Sequence, residues 1–255
     1  MNRREPILKV LSLFSGIGAF ERALENIGIR YELVNYCEVD KFAAKAYSIL
    51  HHVPQEKNLG DITQVDETEL PEDIDLITYG FPCQDISIAG EKKGFIDKNG
   101  QKTRSGLFFD ALRIIQATKP RIAVAENVKN LTGTKMKSVF DTVLNGLDEA
   151  GYNTYWQIMN CADYEIPQHR ERVLMVSIRK DIDDGSFRFP KPVPLATCLN
   201  DFLLKNAPEK YYLSADRIKN VIRHNDKHSG QMCDRGGLCE TLLARDHKDP
   251  KVVTG

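Results

Sequence analysis

The chain has 255 residues, 42% of them hydrophobic, enough for one cored domain with a smaller appendage. A formal net charge of −1 argues against a protein that coats nucleic acid by bulk charge. Six scattered cysteines (Cys37, Cys83, Cys161, Cys198, Cys233, Cys239) have no short paired spacing, which argues against a disulfide framework or a standard zinc site.

No run of residues is long and apolar enough to span a bilayer, and residues 1–6 lack the apolar segment of a signal peptide. A cytoplasmic protein with no membrane partner is therefore expected. Charge is unevenly spread. Residues 185–255 carry 12 Lys and Arg against 8 Asp and Glu, a surplus of four, while residues 1–184 carry 23 against 28, a deficit of five. A basic appendage on an acidic body suits a polyanion held between them, and equally a few solvated lysines.

In chain order, the apolar run 7–14 predicts a strand feeding Ser15-Gly16-Ile17-Gly18-Ala19, then an amphipathic helix over 20–27 stopped by Gly28. Strand, glycine turn and helix open a nucleotide-fold crossover. A second strand over 31–36 ends at Cys37-Glu38-Val39-Asp40, where Asp40 can cap a helix over 41–51. After a turn at Asn58-Leu59-Gly60-Asp61-Ile62-Thr63, a buried strand over 75–79 runs into Gly80-Phe81-Pro82-Cys83-Gln84-Asp85-Ile86-Ser87. From there to Ser105 the chain is polar, with no sustained hydrophobic period.

Helical spacing over 106–118 is ended by Lys119-Pro120, and a strand over 121–125 closes with Glu126-Asn127-Val128. A helix over 136–150 is ended by Gly151, and strands over 152–160 and 173–178 complete the body. Strands alternating with helices predict an α/β fold, a Rossmann-like and largely parallel sheet with helices on both faces. From about Asp181 the pattern weakens, and Phe189-Pro190-Lys191-Pro192-Val193-Pro194 reads as a link. A domain boundary is placed there, between 1–184 and a small region 185–255.

Cys83 sits where a strand end becomes a loop, behind a proline that stiffens the backbone. That mounts a nucleophile at the strand end where open α/β sheets bind ligands; a buried structural cysteine is the alternative. The turn Phe14-Ser15-Gly16-Ile17-Gly18 lacks the third glycine of the dinucleotide pattern, so it suits a small anion at a helix N-terminus, or simply packing. Glu38 can accept both hydroxyls of a ribose, or merely flank a helix, and Asp61 can take an adenine amine. Carboxylate, ribose and adenine together describe S-adenosylmethionine better than a dinucleotide. Glu126 and Gln168-His169-Arg170-Glu171-Arg172 also fall near strand ends, either sharing a pocket with Cys83 or serving as a cap and surface ion pairs. His224, His228, Cys233 and Cys239 fit no common zinc spacing, so no metal is expected.

In this order, Phe14-Ser15-Gly16-Ile17-Gly18, Gly80-Phe81-Pro82-Cys83-Gln84 with Ser87 and Gly90, Glu126-Asn127-Val128 and Gln168-His169-Arg170-Glu171-Arg172 resemble the cytosine-5 DNA methyltransferase family, over residues 8 to about 180. Gly236-Gly237-Leu238 with Thr241-Leu242 is similar, more weakly, to the Thr-Leu element of that family's target-recognition region. The resemblance implies methyl transfer from S-adenosylmethionine to C5 of a cytosine flipped out of double-stranded DNA. It makes Cys83 the nucleophile at C6 and Glu126 a buried, neutral acid at N3 that also holds the 4-amino group. Arg172 would meet the O2 edge, with Arg170 supporting the loop or a phosphate.

Phe14, Gly16, Ile17 and Gly18 would line the methionine part of the cofactor, with Pro82 also on the cofactor side. Glu38 and Val39 would serve ribose and adenine, Asp61 and Ile62 the adenine, and Leu107 an adenine face. Val39 stands where many relatives have tryptophan, so stacking on the adenine should be weaker. Segment 85–104 would form a lid; Gln84, Ser87, Lys92, Lys93 and Arg104 would meet DNA, joined by Gln168 and Thr241.

The family pattern continues past the Thr-Leu element to an arginine-containing segment and a helix bearing Gly-Asn-Ser-Val, whereas this sequence stops at Gly255. The expectation is a fragment, or an enzyme completed by a second polypeptide. Competing readings are the tRNA-directed branch of the family, against which Gln84 speaks, and a non-catalytic DNA-binding or regulatory fragment. A nicotinamide oxidoreductase is disfavoured by the incomplete glycine fingerprint. Weak cofactor binding and poor methylation are expected of the chain alone; full turnover in a tritium-transfer assay on DNA would refute this.

Overall fold

The structure, a computed structural model, describes residues 7–82, 104–214, 216–220, 232–242 and 252–254. Its chain divides into two compact units. One comprises Met1–Gln157 with Val173–Arg188, the other Ile158–Arg172 with Phe189–Gly255.

The first unit is built on a mixed sheet of six strands, β1 (Leu8–Leu13), β2 (Tyr31–Cys37), β3 (Leu76–Tyr79), β4 (Ile122–Val128), β5 (Tyr152–Asn160) and β7 (Glu171–Arg179), of which the last three residues of β5 and the first two of β7 are assigned to the second unit. Their spatial order is β2-β1-β3-β4-β7-β5. Strands β2, β1, β3 and β4 run parallel to one another, as alternating strands and helices require. Strand β7 departs from the parallel expectation. Arg179 N donates to Arg121 O (3.1 Å) and Lys180 N to Gly151 O (2.9 Å), so its end lies at the starts of β4 and β5 and it runs against both. The connection between β5 and β7 holds no crossover helix, and a short link can only join antiparallel strands.

Alternate residues of β1 serve opposite faces. Leu11 and Leu13 join Ile77, Tyr79, Ala123 and Ala125 under Phe108, Ala111 and Ile115 of α3 (Phe108–Thr118) and Val143 and Leu147 of α4 (Lys137–Glu149). Val10 joins Leu33 and Tyr36 under Ala44 and Tyr47 of α2 (Lys41–Leu50), with Leu24 of α1 (Ala19–Asn26) against them. Strands covered on both faces read as the near-continuous apolar runs seen in the sequence.

The helix limits follow local chemistry. Asp40 Oδ1 accepts from Phe42 N and Ala43 N, both 2.9 Å, and caps α2. Gly28 and Gly151 follow α1 and α4 with φ of 74° and 93°. Helix α3 starts at Phe108, later than the expected 106, because Arg104–Leu107 forms a 3-10 turn.

In the second unit, β6 (Gln168–His169) pairs in parallel with β9 (Cys239–Glu240), and β8 (Met232–Asp234) with β10 (Val252–Thr254). Short strands therefore occupy a region whose sequence shows little periodicity. Among the described residues no helix is long and apolar enough to cross a membrane.

Replacing Asp40 with alanine removes two capping bonds and should cost about 1 kcal/mol, lowering Tm by about 2–4 °C in a thermal melt followed by circular dichroism. An unchanged melt would show that the cap adds nothing.

Candidate active site

Register brings the strand ends level. Leu13 pairs with Cys37 on one side and Tyr79 on the other, and Tyr79 pairs with Ala125. The residues that follow, 14–18, 38–40, 80–82 and 126–128, therefore share the carboxyl edge of the parallel strands, where open α/β sheets bind ligands.

Phe14 leaves β1 with φ 53°, a left-handed conformation that costs a non-glycine residue about 1–2 kcal/mol. The turn it starts is laced to the end of β2. Ser15 N donates to Cys37 O (3.0 Å), and Gly16 N to Glu38 Oε2 (2.9 Å). Asp40 N donates to Glu38 Oε1 at 2.7 Å. Each carboxylate oxygen thus holds one backbone donor and keeps further capacity to accept.

Asn58 fixes the backbone of Glu38 from both sides. Its Oδ1 accepts from Glu38 N and its Nδ2 donates to Glu38 O, both 3.0 Å, while Oδ1 also accepts from Gly60 N. Cys37 Sγ donates to Gly60 O at 2.9 Å; burial first, then the nearby Glu38 and Asp61 carboxylates, push its thiol up to about 12. Asp61 is exposed and spends Oδ1 on Thr63 N and Thr63 Oγ1. Ile62 is buried, its carbonyl bonded to Arg113 Nη2 (3.0 Å).

These residues fit an adenosyl group carrying an amino-acid tail. Glu38 has acceptor capacity for a diol. Ile17 and Val39, 57% and 78% exposed, offer bare apolar surface. Around Gly16 a Cβ would meet nothing within 4 Å, and the buried Ser15 Oγ has no partner among the described residues. Phe14 and Leu107 are half-buried and both pack against the larger core.

Cys83, Gln84, Ser87, Lys92 and Lys93 lie outside the described residues, as does the side chain of Arg104. The approach to Cys83 is described. Phe81 is buried, its ring 5.3 Å from Phe108, and its carbonyl accepts from Asn127 Nδ2 at 2.9 Å. Asn127 is itself buried, and its Oδ1 accepts from Val128 N (2.8 Å). A Cβ on Gly80 would stand 3.6 Å from Glu126 O and 3.9 Å from Glu126 Oε2. The segment leading to Cys83 therefore runs alongside the Glu126 carboxylate, which is half-buried, short of the full burial expected.

Gln168, Arg170, Arg172 and Thr241 belong to the second unit. Arg170 is held through its backbone, N to Asn160 Oδ1 (3.0 Å) and O from Cys161 N (3.1 Å). Arg172 Nη1 donates to Glu171 O at 2.8 Å, and Thr241 Oγ1 donates to His169 O at 2.7 Å. Cys233 and Cys239 stand 3.4 Å apart, sulfur to sulfur; His224 and His228 lie outside the described residues.

Residues 8–246 match the family model described as C-5 cytosine-specific DNA methylase. The chain belongs to this family. It is 40% identical over 256 residues to the type II methyltransferase M.NlaX of Neisseria lactamica, covering 97% of this chain and 78% of that protein. It is 36% identical over 244 residues to the orphan methyltransferase M.SPRI of Bacillus phage SPR, covering 85% of this chain and 54% of the other. The chain thus spans about half the length of some of these relatives. Among solved structures it matches a Spodoptera frugiperda DNMT2 mutant with a TM-score of 0.70 at 19% identity, over 91% of this chain and 68% of that one. At that identity the likeness is one of fold.

Sequence reading did not single out Asn58, Arg113 or the amide of Asn127 as positioning groups. The Asn-Leu-Gly turn did signal a side chain bonding two residues ahead, as Asn58 does to Gly60. Its bonds to Glu38 carried no local signal. Asn58→Ala should strip both Glu38 backbone groups of partners and lower unfolding free energy by about 1–3 kcal/mol in urea titration. A shift below about 0.5 kcal/mol would rule out the clamp.

Proposed function

We propose that this methylase-family protein transfers a methyl group from S-adenosylmethionine to C5 of a cytosine flipped out of double-stranded DNA, through a covalent adduct of Cys83. The observation that carries the reading is that Gly80 lies beside Glu126 and that Asn127 anchors the Phe81 carbonyl, two residues before Cys83. Cys83 follows Phe81 and Pro82 in sequence, and an added thiolate and a carboxyl acting on one pyrimidine must be near neighbours. The names of the curated relatives support methyltransferase chemistry, and the family description supports DNA as the acceptor.

Cytosine C5 is a poor nucleophile. Attack of the Cys83 sulfur on C6 moves a ring electron pair toward N3, where Glu126 delivers a proton and also holds the 4-amino group. C5 is thereby made an enamine carbon able to take up a methyl group. S-adenosylmethionine supplies that methyl as an electrophile on a sulfonium centre. A base then removes the C5 proton, the C–H electron pair re-forms the C5–C6 double bond and expels the Cys83 sulfur, and the N3 proton returns to Glu126, which restores the ring. Gly16, Ile17 and Gly18 would hold the methionine end, with Phe14 and Pro82 beside it. Glu38 would take the ribose, and Val39, Asp61, Ile62 and Leu107 the adenine.

Arg172 and Arg170 would address the O2 edge and a phosphate. Gln84, Ser87, Lys92, Lys93, Arg104, Gln168 and Thr241 would meet the duplex. Residues 1–184 form the catalytic domain in this reading, and 185–255 part of a target-recognition region.

Duplex DNA carrying 5-fluorocytosine should trap the wild-type protein as a covalent adduct when S-adenosylmethionine is present, because the fluorine cannot leave as the proton does. Cys83→Ser should give no adduct, and Glu126→Gln should slow its formation by at least about 100-fold. An adduct formed equally well by the serine variant would sink the assignment. Preference for tRNA over duplex DNA as acceptor would move the substrate while leaving the chemistry.

A further inference from the structure

One imidazole gathers the framework behind the glycine turn. His51 follows α2 as its C-cap, with a side chain only 2% exposed. Its Nε2 lies 3.0 Å from Ile17 O in the turn. A carbonyl only accepts, so Nε2 carries the hydrogen of that bond. Nδ1 lies 3.2 Å from Glu25 Oε1 on α1, and this bond is the main reason the Glu25 carboxyl is held below its usual range. The ring also rests 4.8 Å from Tyr47, which stacks at 4.1 Å on Tyr36 of β2.

Gly18 shows how closely the ring supports the turn. Its φ is +84°, and a Cβ there would stand 2.1 Å from His51 Nε2 and 2.9 Å from the Tyr47 ring. Glycine is required at this position by the ring beneath it as well as by the backbone angle. No bound ligand need be invoked.

We propose that His51 is a positioning residue of the cofactor site: by holding the Ile17 carbonyl from behind, it fixes the Ile17–Gly18 peptide, whose N–H closes the turn on Ser15 O (2.9 Å), and so sets the shape of the glycine turn on which the cofactor would rest. This rests on reading the turn as part of the S-adenosylmethionine pocket. A turn fixed before binding loses little freedom when the ligand arrives; without the brace, binding must order it.

The two ring nitrogens can be tested apart. A glutamine amide nitrogen reaches the place of Nε2, and an asparagine amide nitrogen that of Nδ1. His51→Gln should therefore keep the bond to the turn and lose the one to Glu25, and His51→Asn the reverse. Binding of labelled S-adenosylmethionine to wild type and both variants is measured by equilibrium dialysis, beside Tm. His51→Asn should weaken binding about tenfold, the scale of one net hydrogen bond. His51→Gln should stay within about threefold, while Tm falls comparably in both.

Equal weakening in the two variants, in step with Tm, would mark His51 as bulk structure and overturn the proposal. Unchanged affinity in His51→Asn would also overturn it, leaving the reading of the pocket intact. Failure of the wild-type protein itself to bind would remove that reading and this inference with it.

Discussion

The site depends on where four parallel strands end relative to one another, and one irregularity sets that. Along β1 and β2, Leu8, Lys9 and Val10 face Tyr31, Glu32 and Leu33, but Leu11 faces Asn35, so Val34 is an extra residue. An unbroken ladder would have set Leu13 opposite Tyr36. The bulge sets it opposite Cys37 and draws Glu38 level with the turn that leaves β1. In that register Gly16 N donates to Glu38 Oε2 at 2.9 Å. A one-residue slip would also turn each β2 side chain to the other face, taking Leu33 and Tyr36 out of the core they share with Val10.

Strand ends leave backbone groups that must find partners when buried, and here neutral amides supply them. Asn58 closes on both the N–H and the C=O of Glu38; Asn127 takes the Phe81 carbonyl and returns a bond to its own chain. An amide can do this because it both donates and accepts, which a carboxylate cannot. The division of labour leaves each Glu38 carboxylate oxygen with one backbone donor and further capacity to accept, while an uncharged neighbour holds the Glu38 backbone. Arg113 does the same for the following segment, bonding the Ile62 and Val65 carbonyls and the Glu67 carboxylate from α3.

What could be read in the sequence was whatever is decided within a few residues. The glycine turn after β1, the Asp40 cap, and the stops at Gly28 and Gly151 all follow from local backbone preference. The strand that leads toward Cys83 follows for the same reason. The direction of β7 was less legible, because it depends on pairing with strands begun at residues 122 and 152. Likewise Glu171 and Arg172 read as members of a polar cluster, yet both lie in β7, whose ladder outweighs their low strand preference. His51 gave no signal, since its partners Ile17 and Glu25 lie 34 and 26 residues away.

The second unit meets the same requirement by different means. Gln168 and His169 pair with Cys239 and Glu240, while Cys239 N donates to Pro167 O and Thr241 Oγ1 to His169 O, a contact across 72 residues. On the other side, Asn160 and Cys161 hold both backbone groups of Arg170. The peptide bearing these guanidinium groups is thus clamped between the end of β5 and a strand from late in the chain. Thr241, whose hydroxyl proton is committed to His169, contributes first by anchoring that peptide. Long-range closure of this kind is entropically costly to form, and the return is a planar, multidentate cation whose backbone is held in place.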